Sequence, residues 1–205
     1  CSASVTSMQT RLSILISGAL LGVFGVLGAG LVGFSHDVTA ERIVQNERET
    51  LLRQLQVLVP DGEADNDMST DVIDVSDPAR LGAEQTRVYR AKRNGTVIAI
   101  VLSPVITQGY SGPMQLIIGV RRDGTLAGVR VLSHRKTPGL GDKVELERSD
   151  WIRGFDGRSL VSPSGGGWRV KRDGGVFDQF TGATITPRAV VEAVRRALEY
   201  FAVNR

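Results

Sequence analysis

The strongest pattern along the chain is an unbroken apolar run. Leu12 to Phe34 reads LSILISGALLGVFGVLGAGLVGF, 23 residues without a charge. A bilayer core about 30 Å thick needs roughly 20 apolar residues in a helix. The run is longer than the about 7–15 apolar residues of a secretory signal, and it lacks the polar face of a buried soluble helix. It predicts one transmembrane helix over 12–34, behind a short tail at 1–11. Gly18 and Gly22 form a small-xxx-small pair that suits close helix packing in lipid, although glycine is also common in membrane helices at large. Arg11 precedes the run, and Arg42, Arg48 and Arg53 follow it among acidic residues, so charge alone leaves the orientation open.

Beyond the run the period changes. From Thr39, the residues Ile43, Val44, Leu51, Leu52, Leu55 and Leu58 recur at helical spacing with charges between them. This predicts a juxtamembrane helix within 35–60, with Thr39 as N-cap and Pro60-Asp61-Gly62 as its stop. Residues 61–85 are acidic and read as a surface loop with a short strand at best. From Thr86 the pattern alternates. Two strand-like runs flank Asn94-Gly95, a dipeptide suited to a type I′ hairpin because both central residues take positive φ. The stretch from Met114 to Leu132 repeats the design around Asp123-Gly124.

Trp151 to Phe155 reads as a short helical piece, Ser162 to Gly167 as a loop and Trp168 to Val170 as a short strand. Pro187 to Phe201 reads as a closing helix with Val190, Val191, Val194, Leu198 and Phe201 on one face. The expected fold class is α+β: a twisted antiparallel sheet packed with helices over 86–205.

Composition narrows the function. The 205 residues carry a net charge of only +3, with 5% aromatics and no basic run, which argues against nucleic-acid binding. Cys1 is the one cysteine. A disulfide or cysteine-based metal site within one chain is therefore excluded, and Cys1 is read as the place where the chain begins rather than as a lipidated residue. No catalytic acid–base pair and no resident metal site are expected.

The chemistry concentrates in Asp178 to Pro187, DQFTGATITP. Thr186 before Pro187 is a good N-cap signal. The preceding turn would then lie against a helix N-terminus, where free N–H groups and the dipole suit an anion. Gly182 and Ala183 are small enough to let a phosphate approach. Thr181, Thr184 and Thr186 cluster hydroxyls there, and Asp178 stands near enough to orient one. On these physical grounds alone, an ordinary helix-capping loop is the stronger reading.

DQFTGAT resembles the flavinylation motif of the FMN-binding domain family, an Asp followed by a Ser/Thr-Gly-Ala-Thr core. The resemblance implies covalent FMN, attached by a flavin transferase from FAD through a phosphoester to Thr184. A second block, SHRKTPGLGDK, is similar to the family's turn beside the flavin. By that likeness Thr137, Pro138, Gly139, Leu140, Gly141 and Lys143 join Thr181, Gly182, Ala183, Thr186 and Asp178 as cofactor-binding candidates. Lys136 departs from the family pattern, in which an acidic residue often precedes this threonine. A third block, Gly109 to Met114, matches the family's GYSG-type stretch.

The span and block order are most similar to the G subunits of Rnf-type electron transport complexes, whose sister is the C subunit of the sodium-pumping NADH:quinone reductase. The resemblance implies an electron-transfer subunit of an ion-translocating oxidoreductase, in the inner membrane with its domain on the periplasmic side. Its partners would be other membrane and electron-transfer subunits, and the transferase during maturation. Two alternatives stay open: a flavin-bearing sensory or regulatory membrane protein, and a non-redox assembly module. Of the remaining residues, His134 reads as polar surface in preference to a proton donor near the flavin, Trp151 and Trp168 as core or flavin neighbours, and Lys143 and Arg188 as solvated cations or partners of the flavin phosphate; a nearby anion would explain Arg188 in the first helical turn.

Overall fold

A computed structural model describes residues 2–60, 62–107, 112–136 and 138–205. The chain divides into two compact units, 1–49 and 50–205. The first lies within helix α1 (Ser2–Leu58). Its stretch Ile16–Ser35 has a mean hydropathy of 2.0 and is long and apolar enough to cross a membrane. Leu21, Val26, Leu31 and Phe34 are each more than 70% exposed, as the lipid-facing side chains of a spanning helix would be.

The expected N-cap at Thr39 is corrected: helix continues through it. Its hydroxyl donates to the Ser35 carbonyl four residues back (2.7 Å), a bond that satisfies the side chain inside a helix instead of starting one. No proline occurs before Pro60, and Pro60 disfavours helical geometry at the residue before it, so the helix ends at Leu58.

The second unit is built on a six-stranded antiparallel sheet. Its strands are β1 (Val72–Val75), β2 (Thr86–Arg93), β3 (Thr96–Leu102), β4 (Val105–Ile106), β5 (Met114–Arg121) and β6 (Leu126–Ser133). β1 pairs with β2 and β2 with β3. β3 and β4 both pair with β5, and β6 also pairs with β5. β5 is thus central, and it is buried on both faces. Leu116, Ile118 and Val120 face one core with β2, β6 and helix α3 (Ile185–Asn204). Ile117 faces a second core with Leu55, Leu58, Tyr89, Ala91, Ala99 and Val101. The alternation of a strand explains the split, and the last turns of α1 close the second face. The α+β expectation holds.

The Asn94-Gly95 turn is as expected: Asn94 has φ 49° and Gly95 φ 73°, and Arg93 pairs with Thr96. The second hairpin differs. Among the described residues of its turn only Gly124 has positive φ. Asp123 instead accepts from Thr125 N (2.9 Å) and Thr125 Oγ1 (2.6 Å), and these bonds favour a wider turn. The region read as an acidic loop carries β1 and a short helix, α2 (Pro78–Leu81), capped by Asp77. The expected strand at Trp168–Val170 is reduced to a single bridge, Val170 to Phe177, because the neighbouring glycines leave few side chains to extend it.

Candidate functional site

The turn before α3 sets the geometry. Gly182 has φ 83°, a conformation glycine adopts without strain, and Ala183 N donates to the Phe180 carbonyl (3.2 Å). The chain then enters α3 at Thr184, not at Thr186, which corrects the expected cap by two residues. Thr184 is the N-cap, and its side chain makes no capping hydrogen bond. Thr184 is half-buried, Thr181 and Gly182 are exposed, and Thr186 and Pro187 are buried. The helix thus starts with first-turn N–H groups that Thr184 does not cap, beside a hydroxyl not committed to capping.

The second block packs against this turn. After β6, Pro138–Gly141 forms a turn in which Gly139 takes φ 80°. Gly141 is buried; a methyl there would meet Lys136 Cβ and Thr186 Oγ1, each at 3.2 Å. A methyl on Gly182 would touch Leu140 Cδ2 at 3.4 Å. The Gly-Leu-Gly turn and the Thr-Gly-Ala-Thr turn are therefore in contact, with small residues at the closest points. Leu140 (45% exposed) and Ile185 (49% exposed) leave apolar surface at this place.

Below lies an aromatic floor. A 3-10 turn over Asp150–Phe155, capped by Ser149, presents Trp151. Trp151 Nε1 donates to the Asp178 carbonyl (2.8 Å), and its ring meets Phe180 edge-on at 5.1 Å and Phe155 at 5.4 Å. Phe155 stacks on Phe177 at 4.5 Å. One indole thus fixes both the backbone and a side chain of the Asp178–Phe180 segment.

The ions are arranged differently from expectation. The Asp178 carboxylate pairs with Lys171 Nζ (2.6 Å), and both side chains are mostly exposed. Arg188 binds Asp173 through two bonds of 2.6 and 2.7 Å. The anion that offsets a cation in the first turn is therefore a carboxylate of this chain. That bond also holds the Asp173 carboxyl below its ordinary range. The expectation that His134 is polar surface is corrected: its side chain is only 10% exposed, its Nδ1 accepts from Lys136 N (3.0 Å), and its buried Nε2 lies 2.9 Å from Glu145 Oε1 without hydrogen-bond geometry.

The chain matches the FMN-binding domain family over residues 109–199 and the RnfG N-terminal region over 8–58. It is 47% identical over 197 residues to the G subunit of the ion-translocating oxidoreductase complex of Pseudomonas aeruginosa, covering 96% of this chain and 92% of the relative. The chain belongs to this G-subunit family. The Cereibacter sphaeroides member is 47% identical over 193 residues, covering 94% of this chain and 86% of that one. The Vibrio cholerae member is 44% identical over 184 residues, with shares of 90% and 88%.

Of the family-derived candidates, the structure brings together Thr181, Gly182, Ala183, Thr184, Thr186, Pro138, Gly139, Leu140 and Gly141. Lys143 is exposed, and its carbonyl accepts from Ser149 Oγ (3.1 Å). Asp178 enters through its backbone, with its carboxylate on Lys171. Thr137 and 109–111 of the third block lie outside the described residues.

Three features escaped the sequence reading. Trp151 is an anchor through its N–H. Asp142, 7% exposed, has an Oδ1 with no hydrogen-bond partner among the described residues. Lys136 is also only 7% exposed; its Nζ donates to the Gly112 carbonyl (3.3 Å), and burial pushes its pKa down. A lysine in a Gly/Pro turn ordinarily signals solvent, so no local pattern marked its burial.

Proposed function

We propose that this member of the G-subunit family is a membrane-anchored electron carrier of an ion-translocating oxidoreductase complex, with FMN joined through its phosphate to Thr184. The observation that carries the reading is a half-buried Thr184, its hydroxyl free of capping duty, at the N-terminus of a 20-residue helix. Such a terminus favours a phosphate through its N–H groups and dipole. Thr186, 3% exposed, is the poorer acceptor.

The residues present fit the group. Gly182 and Ala183 leave the backbone approachable, Leu140 and Ile185 offer apolar surface to a flat ring, and Trp151 holds the loop in place. Bound FMN supplies one- and two-electron redox chemistry, which no side chain here provides. In attachment, the Thr184 oxygen would bond to the flavin-side phosphorus of FAD as the pyrophosphate bond breaks. AMP leaves and the hydroxyl proton is lost. Thr184 would then keep the cofactor from dissociating, and Leu140 and the Gly182 turn would orient it.

The apolar stretch 12–34 would span the inner membrane, with 35–60 leading to the domain on the periplasmic side. The partners would be the other membrane and electron-transfer subunits, and the flavin transferase during maturation. Electrons from NADH or reduced ferredoxin would pass through the complex, this flavin would relay them, and ion movement would be coupled.

The test is expression of the full chain with a flavin transferase, followed by a denaturing gel viewed under ultraviolet light beside Thr184→Val. A fluorescent wild-type band and a dark variant are expected. A dark wild-type band, with the transferase active on another target, would leave a non-redox assembly module. Covalent flavin in a protein that brings no membrane partners on purification would favour a sensory role.

A further inference from the structure

An ammonium is costly to bury, and one that stays buried is held by its surroundings. Lys136 is held on two sides. Its Nζ donates to the carbonyl of Gly112, in the loop before β5. Its stem runs along Gly141, where an added methyl would lie 3.2 Å from Cβ and 3.4 Å from Cγ. Thr186 Oγ1 stands the same 3.2 Å from that methyl position. One glycine therefore separates the lysine stem from the first turn of α3, whose N-cap is Thr184.

We propose that Lys136 raises the reduction potential of the flavin: its side chain is fixed between the Gly112 carbonyl and the Gly141 turn, one glycine from the first turn of the helix that Thr184 caps, so its ammonium is the cation of this chain that favours the reduced ring. The inference rests on the flavin reading above. Reduction adds electrons to the ring, and a nearby fixed cation favours the electron-rich state. Burial makes the effect less sensitive to salt than a surface lysine's would be. The carbonyl bond stops the ammonium from swinging into solvent, which distinguishes Lys136 from exposed Lys143.

The full-length protein, flavinylated and purified in detergent, would be titrated spectroelectrochemically. Lys136→Gln keeps a donor for Gly112 and removes the charge; Lys136→Met keeps the stem; Lys136→Arg keeps the charge. Gel fluorescence and thermal melts of each confirm loading and folding. The expected result is a shift of the midpoint to more negative potential in the Gln and Met proteins, with Arg near wild type. A Gln or Met midpoint equal to wild type would overturn the proposal, as would an Arg midpoint displaced as far as that of Gln. Loss of folding in both neutral variants would make Lys136 a structural clamp and overturn it too. A dark wild-type band would instead sink the flavin reading itself.

Discussion

Gly141→Ala tests whether the two turns of the site are truly in contact. Gly141 has φ −90° and ψ −10°, which any L-residue adopts, so backbone strain plays no part. The added methyl would lie 3.2 Å from both Lys136 Cβ and Thr186 Oγ1. Both neighbours are buried, one through its anchored stem and one in the first turn of α3, so neither yields freely. Overpacking of this kind costs about 1–3 kcal/mol, while alanine regains about 0.4–1 kcal/mol by restricting the unfolded chain. The balance is a net loss of up to about 2.6 kcal/mol, which lowers the melting temperature of a unit this size by at most roughly 5–10 °C. Gly154→Ala is the control: nothing lies within 4 Å of its methyl, so it should gain about 0.4–1 kcal/mol. Thermal melts of the two purified proteins decide the matter. Flavin loading should also fall in Gly141→Ala, because the displaced Thr186 stands two residues from Thr184. A Gly141→Ala protein that melts as high as Gly154→Ala would refute the packing of the turns.

Other substitutions probe the supports. Trp151→Phe keeps the ring contacts and loses the bond to the Asp178 carbonyl; it should cost about 0.5–1.5 kcal/mol and slow flavin attachment, measured as band fluorescence against time. Leu58→Ala opens the second core under β5 and should cost about 2–5 kcal/mol, seen as a lowered urea midpoint with unchanged slope. Asp71→Asn should lower the melting temperature at pH 7 and have no effect in strong acid. Lys92 first, then Arg90, hold the Asp71 carboxyl below its ordinary value of 3.8 against the opposing effect of burial. The stability it adds is therefore complete above that value and is lost as pH falls through the lowered one. Equal melting of the two proteins at pH 7 would contradict this.

Much of the fold was readable because its signals are local. The 12–34 run needs no partner to be recognised, and Asn94-Gly95 fixes its own turn. The apolar face of α3 shows as period alone. What failed depended on context. A threonine can cap a helix or bond back into one, and Thr39 and Thr186 both carry cap signals where the helix passes through. Asp77-Pro78 is a cap-and-proline signal, but a helix as short as Pro78–Leu81 shows no period. The stretch from Asp178 to Thr184 was legible as a tight glycine turn leading into a helix. The burial of Lys136 and the reach of Trp151 to the Asp178 carbonyl join distant residues, so they were visible only once the chain was folded.

The central claim is the attachment point. Trypsin cuts after Arg172 and Arg188, and the peptide 173–188 contains Thr181, Thr184 and Thr186 and no serine. The protein, co-expressed with a flavin transferase and purified from membranes, should yield this peptide carrying one FMN phosphoryl group. Fragmentation should place that group on Thr184. An unmodified peptide from cells whose transferase is active on another target, or a flavin placed on Thr181 or Thr186, would contradict the account.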